Sequence, residues 1–469
     1  LLASLSPAEL LQRLDRCPVE ALQRHPLAIL VLMRRMFTWQ QIPKMMELKA
    51  LLEAAVAQHP EWPAAERGNL LGECDLIQSF LFYNDITQMS RLHRSASRQM
   101  SRPAVTLRNS GSWTFGSPSV LMMYYRAPGE LGKELAEMYE CMPHYYKITN
   151  GHGRGAELLM DAEAAYLQGA WEKAAVLLER ARADAAGQEN MTLCCDFLAL
   201  RLALCGKGKE GYDFAAKRAA LLQKHDGVQV HLLESIAAYF YALQGRPEQA
   251  PELFREHKLG EVSFFGPCRP MMSLIEQQVW LAQGEYVKVI AHSEGLLRRC
   301  EAMHYGLVGL QTRIQLAAAQ LRFGQRADAR AALAAALLDA SQDDFWVLFV
   351  EQYPALAPLL EGEDWAACAP RLGPFVARIL PAGRAFAARL GLPAPAPAPE
   401  LPLTDRDREL ARLVAGRCTN KEIAAALYLS EGTVKQYINQ LYAKLDMGGD
   451  PRTRRARLAE WYQKNAPRN

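Results

Sequence analysis

The segment "AYLQGAWEKAAVLLERA", residues 165–181, contains two apolar helical runs joined at Gly169. A glycine between two amphipathic runs is typical of the tight turn of a helix hairpin, because the turn needs a positive φ angle that glycine adopts at little steric cost. The same arrangement recurs at spacings of 37, 39, 39 and 40 residues, centred on Gly206, Gly245, Gly284 and Gly324. A unit repeated at such a period indicates stacked helix hairpins, so we predict an all-α fold.

A small or apolar residue lies five positions after each of these glycines and is predicted to let the second helix pack closely on the first: Ala174, Gly211, Ala250, Val289 and Ala329. One hairpin cannot bury its apolar face alone, so we expect neighbouring hairpins to stack into a superhelix with an extended concave surface. The pattern resembles the tetratricopeptide repeat, most clearly at Tyr166, Gly169, Trp171, Ala174 and Ala181. The period is nearer 40 than the ~34 residues of that family, which implies longer connections.

The composition is that of a folded, soluble protein, and the length predicts either two or more domains or a repeat array without a single centre. The chain has 469 residues, of which 50% are hydrophobic and 22% are charged. It has no apolar run of the ~18 residues that span a bilayer and no signal-peptide pattern, so we expect a cytoplasmic protein without a membrane partner. The ten cysteines form no CxxC pair, and neither metal-ligand spacing nor a nucleophile–base pattern is present. We therefore predict no metal site, no catalytic residues and no enzyme activity.

Two glycine-rich segments could be mistaken for ligand loops. "GKGKEG" at 206–211 satisfies GxGxxG, but it follows a predicted helix at a repeat turn, whereas a dinucleotide fingerprint follows a strand. "GHGRG" at 151–155 is interpreted as a loop between hairpins, with a ligand role as the alternative.

A proline-rich boundary divides the chain. "GLPAPAPAPELP", residues 391–402, cannot form a helix interior and is predicted to be a semi-rigid linker between a repeat domain, 1–390, and a C-terminal domain, 403–469. Residues 403–469 contain 13 Lys and Arg against 8 Asp and Glu and so carry +5, while residues 1–402 carry −2 of the total +3. A basic tail is typical of nucleic-acid binding, although a solvated basic surface gives the same balance.

The C-terminal domain has the pattern of a helix-turn-helix. Thr404 is a predicted N-cap of a first helix that ends at Gly416, and Thr419 is a predicted N-cap of a short second helix. From Ser430, another predicted cap, a longer helix has one apolar stripe, formed by Val434, Ile438, Leu441 and Leu445. A helix pair of this kind places its second helix in the major groove of DNA.

The opposite face of the longer helix carries hydrogen-bond donors. Lys435 could donate to guanine, and Gln436 and Asn439 could each pair with adenine. Three further residues are predicted to contact phosphates: Lys421, Thr433 and Lys444. The alternative from periodicity alone is a solvated face on a small helical bundle.

The domain closely resembles the LuxR-type DNA-binding domain, through Thr404, Arg406, Arg408, Glu409, "TNKEIA" at 419–424, "LYLSEGTVK" at 427–435 and "KL" at 444–445. The resemblance implies a four-helix domain with Lys435, Gln436 and Asn439 as base readers, and Lys421 and Thr433 on the backbone. In this sequence, Arg417 replaces the glycine that precedes the second helix in the family, and Tyr437 replaces its recurrent histidine. The closing helix, with Leu458 and Trp461, is either a dimer contact or a cap on the domain core.

Nearly the whole chain resembles the large ATP-dependent, maltose-regulon-activator-like group of LuxR-type bacterial regulators, at "GSWTFGSPSVL", "NGHGRGAELLMDAEAAYL" and "HPLAIL". Those proteins carry an N-terminal P-loop ATPase, whereas this sequence has no GxxxxGK[ST]. We therefore expect a chain that lacks its ATPase domain, or a naturally short regulator, with no cofactor of its own and ATP only in a missing domain.

The resemblance implies a transcription regulator, most simply an activator, whose helical array senses a small-molecule or protein effector. Double-stranded DNA and RNA polymerase are the implied partners, with homo-oligomers on DNA. The alternative is a helical-repeat scaffold for protein interactions with a basic tail that does not bind DNA.

Overall fold

The computed structural model describes residues 6–107, 111–208, 211–224, 227–392, 405–445, 447 and 450–465. These residues form helices, turns and loops, without a strand in the part described. Within that part, no helix combines the length and apolar character needed to cross a bilayer. The chain forms two compact units, Leu1–Phe240 with Ala250–Ile275 and Arg299–Val308, and Tyr241–Gln249 with Glu276–Arg298 and Gly309–Asn469.

The helices of the first half of the chain are α1 (Pro7–Asp15), α2 (Val19–Gln23), α3 (Pro26–Thr38), α4 (Ile42–Gln58), α5 (Ala64–Ser79), α6 (Ile86–Gln99), α7 (Val120–Tyr124), α8 (Leu131–Thr149), α9 (Ala156–Leu167), α10 (Trp171–Asp184), α11 (Glu189–Leu204) and α12 (Phe214–Gln223). Those that follow are α13 (Gly227–Leu243), α14 (Glu252–Arg255), α15 (Arg269–Gln283), α16 (Tyr286–Met303), α17 (Gly306–Arg322), α18 (Arg326–Ala340), α19 (Val347–Glu351), α20 (Tyr353–Leu360), α21 (Trp365–Cys368) and α22 (Leu372–Arg389). The last four are α23 (Asp405–Ala415), α24 (Asn420–Leu427), α25 (Glu431–Lys444) and α26 (Pro451–Asn465).

The repeat glycines lie in turns, as predicted. Each follows a long helix and adopts a positive φ angle, between 67° and 85°, in Gly169, Gly206, Gly245, Gly284 and Gly324. An L-residue with a side chain adopts this conformation only with strain. The all-α class and the turn assignment are therefore confirmed for these five positions, whereas the superhelix stays a prediction.

The small residues after the glycines behave in three ways. Ala174, Val289 and Ala329 are fully buried in their helices. The prediction is wrong for Gly211, which is exposed in a loop with a φ angle of 96°, because α12 begins only after Asp213 caps it. Ala250 is buried but precedes the short α14, since prolines at 247 and 251 prevent a continuous helix there.

The "GHGRG" segment is a closely packed loop in the first unit. The Gly153 N–H donates to the Gln188 side-chain oxygen at 2.6 Å, and the Gln188 side-chain nitrogen donates to the Gly151 carbonyl at 2.9 Å. The Trp113 ring lies so close to Gly153 that an added Cβ would fall 2.3 Å from it. These contacts agree with the interpretation as a loop between α8 and α9. "GKGKEG" likewise follows a helix, α11, rather than a strand.

Three chemically active side chains meet in the first unit although they are distant in sequence. The His93 ring contacts the Ser79 hydroxyl at 2.9 Å through Nε2 and the Cys141 sulfur at 3.2 Å through Nδ1. All three are buried, and burial lowers the pKa of His93 to about 3 and raises the pKa of Cys141 to about 12. At neutral pH this cluster holds a neutral imidazole and a protonated thiol, so it serves as a buried hydrogen-bond network.

Candidate nucleic-acid interface

Helices α23 to α26 enclose a hydrophobic core of their own. Its buried members are Leu410, Ala411, Leu413, Val414, Ile423, Ala424, Val434, Ile438, Leu441, Tyr442 and Leu458. The apolar stripe predicted on α25 is present, because Val434, Ile438 and Leu441 are buried and Leu445 packs against the same core. This packing fixes which face of α25 points outward.

Local hydrogen bonds set the start of the two helices of the motif. Thr419 and Glu422 form a capping box, in which the Glu422 N–H donates to the Thr419 hydroxyl and the Thr419 N–H donates to the Glu422 carboxylate. The Ser430 hydroxyl accepts from the Thr433 N–H at 3.1 Å and caps α25. Both predicted caps are confirmed, whereas Thr404 lies outside the described residues.

The turn between α23 and α24 contains a strained residue. Arg417 adopts a φ angle of 61°, and the Cys418 N–H donates to the Leu413 carbonyl at 3.1 Å, as in a Schellman motif. Glycine is the usual residue at this left-handed position, because it has no Cβ to clash. The departure noted in the sequence is thus accommodated by strain at Arg417 and not by a shift of the turn to Gly416.

We expect Arg417→Gly to stabilise the C-terminal domain by about 1 kcal/mol, because relief of the left-handed strain, roughly 1–2 kcal/mol, exceeds the added entropy of the unfolded chain. The measurement is the free energy of unfolding of the full chain by denaturant titration. Arg417→Ala is the matched control, since it removes the same exposed charge but keeps the Cβ. Equal stabilisation by both variants would contradict a backbone origin.

The predicted base readers share the outward face of α25. Lys435, Gln436 and Asn439 are exposed, and their spacing places them on the side opposite the buried stripe. Gln436 and Asn439 also line a cavity of about 610 Å³ together with residues of α16, of α18 and of the turn before α18, among them Val287 of α16 and Phe323 of the turn.

The predicted phosphate contacts are less uniform. Lys421 is exposed in the first turn of α24. Thr433 is half-buried, and its hydroxyl lies 2.7 Å from the Ser430 hydroxyl. The side chain of Lys444 lies outside the described part of the chain.

The closing helix α26 packs on the domain. Leu458 is fully buried, and Trp461 packs against the same core. Arg455 donates to the Asn420 side-chain oxygen at 3.0 Å and to the Cys418 carbonyl, so it ties α26 to the start of α24. These contacts favour the cap over the dimer contact for Leu458, while a dimer contact through α26 stays a prediction.

Two aromatic features of the interface were missed by the sequence reasoning. The Arg406 guanidinium lies 5.1 Å from the centre of the Tyr437 ring, at the position where the family has a histidine. Tyr428 ends α24 with a φ angle of 54° and a side chain that is 96% exposed. A helical pattern gives no signal for either feature, because both depend on the path of the turns.

A known protein family matches this same part of the chain. Residues 401–453 match the family described as bacterial regulatory proteins, luxR family. The C-terminal domain is a LuxR-family helix-turn-helix domain. The LuxR-type resemblance of the sequence is therefore confirmed for this domain.

Proteins similar to part of this chain are named as transcriptional regulators. The DNA-binding transcriptional activator DevR/DosR of Mycobacterium tuberculosis is 42% identical over 65 residues, which are 14% of this chain and 29% of that protein. The transcriptional regulatory protein DesR of Bacillus subtilis is 46% identical over 46 residues, 10% of this chain and 23% of that protein. The uncharacterized transcriptional regulatory protein YvfU of Bacillus subtilis is 46% identical over 61 residues, 13% and 30% respectively.

The chain spans less than a third of the length of these relatives. No solved structure is significantly similar to the chain.

Proposed function

We propose that this chain is a sequence-specific DNA-binding transcription regulator that reads the major groove with α25. The observation that carries the proposal is the exposed face of Lys435, Gln436 and Asn439, opposite the stripe that anchors α25 in the core. Amine and amide groups on a helix of this kind match the donor and acceptor pattern of base edges. The LuxR-family domain and the regulator names of its relatives support the same conclusion.

The side chains would divide the work by their position. Lys435 would donate to guanine, and Gln436 and Asn439 would pair with adenine, each such contact contributing ~1–3 kcal/mol of discrimination. Lys421, Thr433 and Lys444 would contact phosphates, which raises affinity without reading sequence. Homo-oligomers on adjacent half-sites, activation and contact with RNA polymerase follow from the family resemblance alone.

The repeat domain, residues 1–390, would sense a small-molecule or protein effector, and the linker at 391–402 would join it to the reader. A linker alone transmits no coupling, so the effector must change the oligomeric state or release a docked reader domain. The cavity that Gln436 and Asn439 share with α16 and α18 supports release, because a DNA duplex, whose major groove alone is about 12 Å wide, cannot enter a space of about 610 Å³.

A salt titration of duplex binding by the full chain tests this proposal on sequences selected from a random DNA pool. Lys421→Ala is expected to weaken binding to all sequences alike and to lower the slope of log affinity against log salt by about one. Lys435→Ala is expected to cost about 1–3 kcal/mol on the selected sequence and to relax the preference for one base.

Lys133→Ala is the control, because Lys133 is an exposed lysine of α8 in the other unit and its loss should leave duplex binding unchanged. Failure of the wild-type chain to bind duplex DNA at low salt would contradict the regulator and favour the helical-repeat scaffold.

A further inference from the structure

A second cavity, of about 210 Å³, lies within the second unit where the ends of several repeat helices meet. Two buried glutamines form part of its wall, Gln278 of α15 and Gln352, which follows α19. Arg322, Glu351 and Leu392 also line the cavity. Its volume is below the ~300–1,000 Å³ of drug-sized ligand sites, so an occupant must be small.

Buried glutamines give this cavity a specific hydrogen-bonding character. The Gln278 side-chain oxygen accepts from Gln352 Nε2 at 2.6 Å and from Gln315 Nε2 at 3.0 Å. Gln278 is 4% exposed and Gln352 is 7% exposed. Within the described chain, the Gln278 amide nitrogen and the Gln352 amide oxygen have no hydrogen-bond partner. Both atoms are free to form a further hydrogen bond, so an occupant that offers an acceptor to the Gln278 nitrogen and a donor to the Gln352 oxygen is favoured.

The charges in the wall balance each other. Arg322 donates to the Pro354 carbonyl at 3.2 Å, and the Glu351 side chain is buried. One cation and one anion leave the lining without net charge. A charged occupant would lose its hydration without a surplus of opposite charge, whereas a neutral one would not.

The cavity also contacts the start of the predicted linker. Gly391 ends α22 with a φ angle of 63°, and the Leu392 N–H donates to the Ala387 carbonyl at 3.0 Å. The Leu392 side chain packs on Gly245, where an added Cβ would fall 2.8 Å from it. Leu392 lines the cavity, so an occupant touches the residue from which the linker departs.

We propose that this cavity binds a small molecule without net charge that carries a carboxamide group. Its oxygen accepts from the Gln278 amide nitrogen, and its N–H donates to the Gln352 amide oxygen. The further assignment of this cavity as the effector site rests on the proposed function, because it requires that occupation of the cavity affects the linker to the DNA-binding domain.

The test is saturation-transfer NMR and calorimetric titration of the full chain without DNA. Nicotinamide is the carboxamide probe, myo-inositol is the neutral polyol, and glutarate and putrescine are the charged probes. Saturable binding of nicotinamide, with at least tenfold weaker binding of the other three, is the expected result. Absence of nicotinamide binding, or equal binding of a charged probe, overturns the proposal, and preference for myo-inositol overturns the carboxamide assignment.

Two glutamine variants separate the site from a general loss of packing. Gln352→Met removes the acceptor in the cavity and one hydrogen bond to the Gln278 oxygen. Gln315→Met removes the other hydrogen bond to the same oxygen, but Gln315 does not line the cavity. Nicotinamide should bind about tenfold more weakly to the first variant and within twofold of wild type to the second. Equal effects of the two variants overturn the site. The nicotinamide titration contains no DNA, so its result is independent of the duplex-binding experiment. If the chain binds nicotinamide in this way but binds no duplex, the proposed regulator function is overturned and the carboxamide site is retained.

Discussion

Glu163→Gln is expected to remove about 3 kcal/mol of pH-dependent destabilisation from the first unit. Glu163 lies on α9 and is fully buried, with Oε2 accepting from the Leu121 N–H at 2.7 Å. Its other oxygen, Oε1, has no hydrogen-bond partner in the described chain. Burial raises the pKa of Glu163 to about 7, although the Leu121 N–H, Ser119 and Arg201 act in the opposite direction.

The direction of the pH effect follows from the raised pKa. Below pH ~4.5, the carboxyl is protonated in both the folded and unfolded chain and adds no cost. As pH rises from 4.5 towards 7, the unfolded chain ionises first, so stability falls until the folded chain ionises as well. Glutamine does not ionise and keeps an oxygen for the Leu121 N–H, so this loss is absent in the variant.

The measurement is the free energy of unfolding of wild type and variant at pH 4 and pH 8. The difference between the two proteins should grow by about 3 kcal/mol in favour of the variant between these pH values. Glu172→Gln, at an exposed position of α10, should show no such growth. A constant difference across this range would contradict ionisation of a buried Glu163.

Gly155→Ala is expected to destabilise the hairpin of α9 and α10 by about 3 kcal/mol. Gly155 precedes α9 with a φ angle of 89°, which costs a residue with a Cβ roughly 1–2 kcal/mol. In addition, an added Cβ would fall 2.7 Å from the carbonyl oxygen of Ala181 on α10. That atom belongs to the backbone of a packed helix, so relief of the clash requires α9 and α10 to separate.

Gly187→Ala isolates the conformational part of this cost. Gly187 has a similar φ angle of 84°, but an added Cβ would have open space around it. Denaturant titration should give a loss of about 1 kcal/mol for Gly187→Ala and about 3 kcal/mol for Gly155→Ala. Equal losses would mean that the helices do not approach each other as closely as the structure describes.

Local physics explains why several elements were predictable from the sequence. The turn glycines, the capping box at Thr419 and the apolar stripe of α25 each depend on residues within a few positions of one another. The same reasoning failed at Gly211, because the length of the loop before α12 depends on where Asp213 caps that helix. Glycine spacing does not determine that point.

Long-range contacts explain most of what the sequence did not reveal. Two buried clusters join residues that are distant in sequence. One contains Ser79, His93 and Cys141, and the other contains Gln278 with its hydrogen-bond donors Gln315 and Gln352. No periodic pattern encodes such contacts. The outward face of α25 was predictable as a face, whereas the bases that it would read stay a prediction, because they depend on the docked geometry with DNA.

Two left-handed residues flank α24, with Arg417 in the turn before its cap and Tyr428 at its C-terminal end, and they affect thermal unfolding. Each carries a backbone cost of roughly 1–2 kcal/mol, within a domain whose core is small. On warming, we therefore expect the helix-turn-helix to unfold in a transition of its own. Under the proposed function, DNA binding would then be lost with this transition.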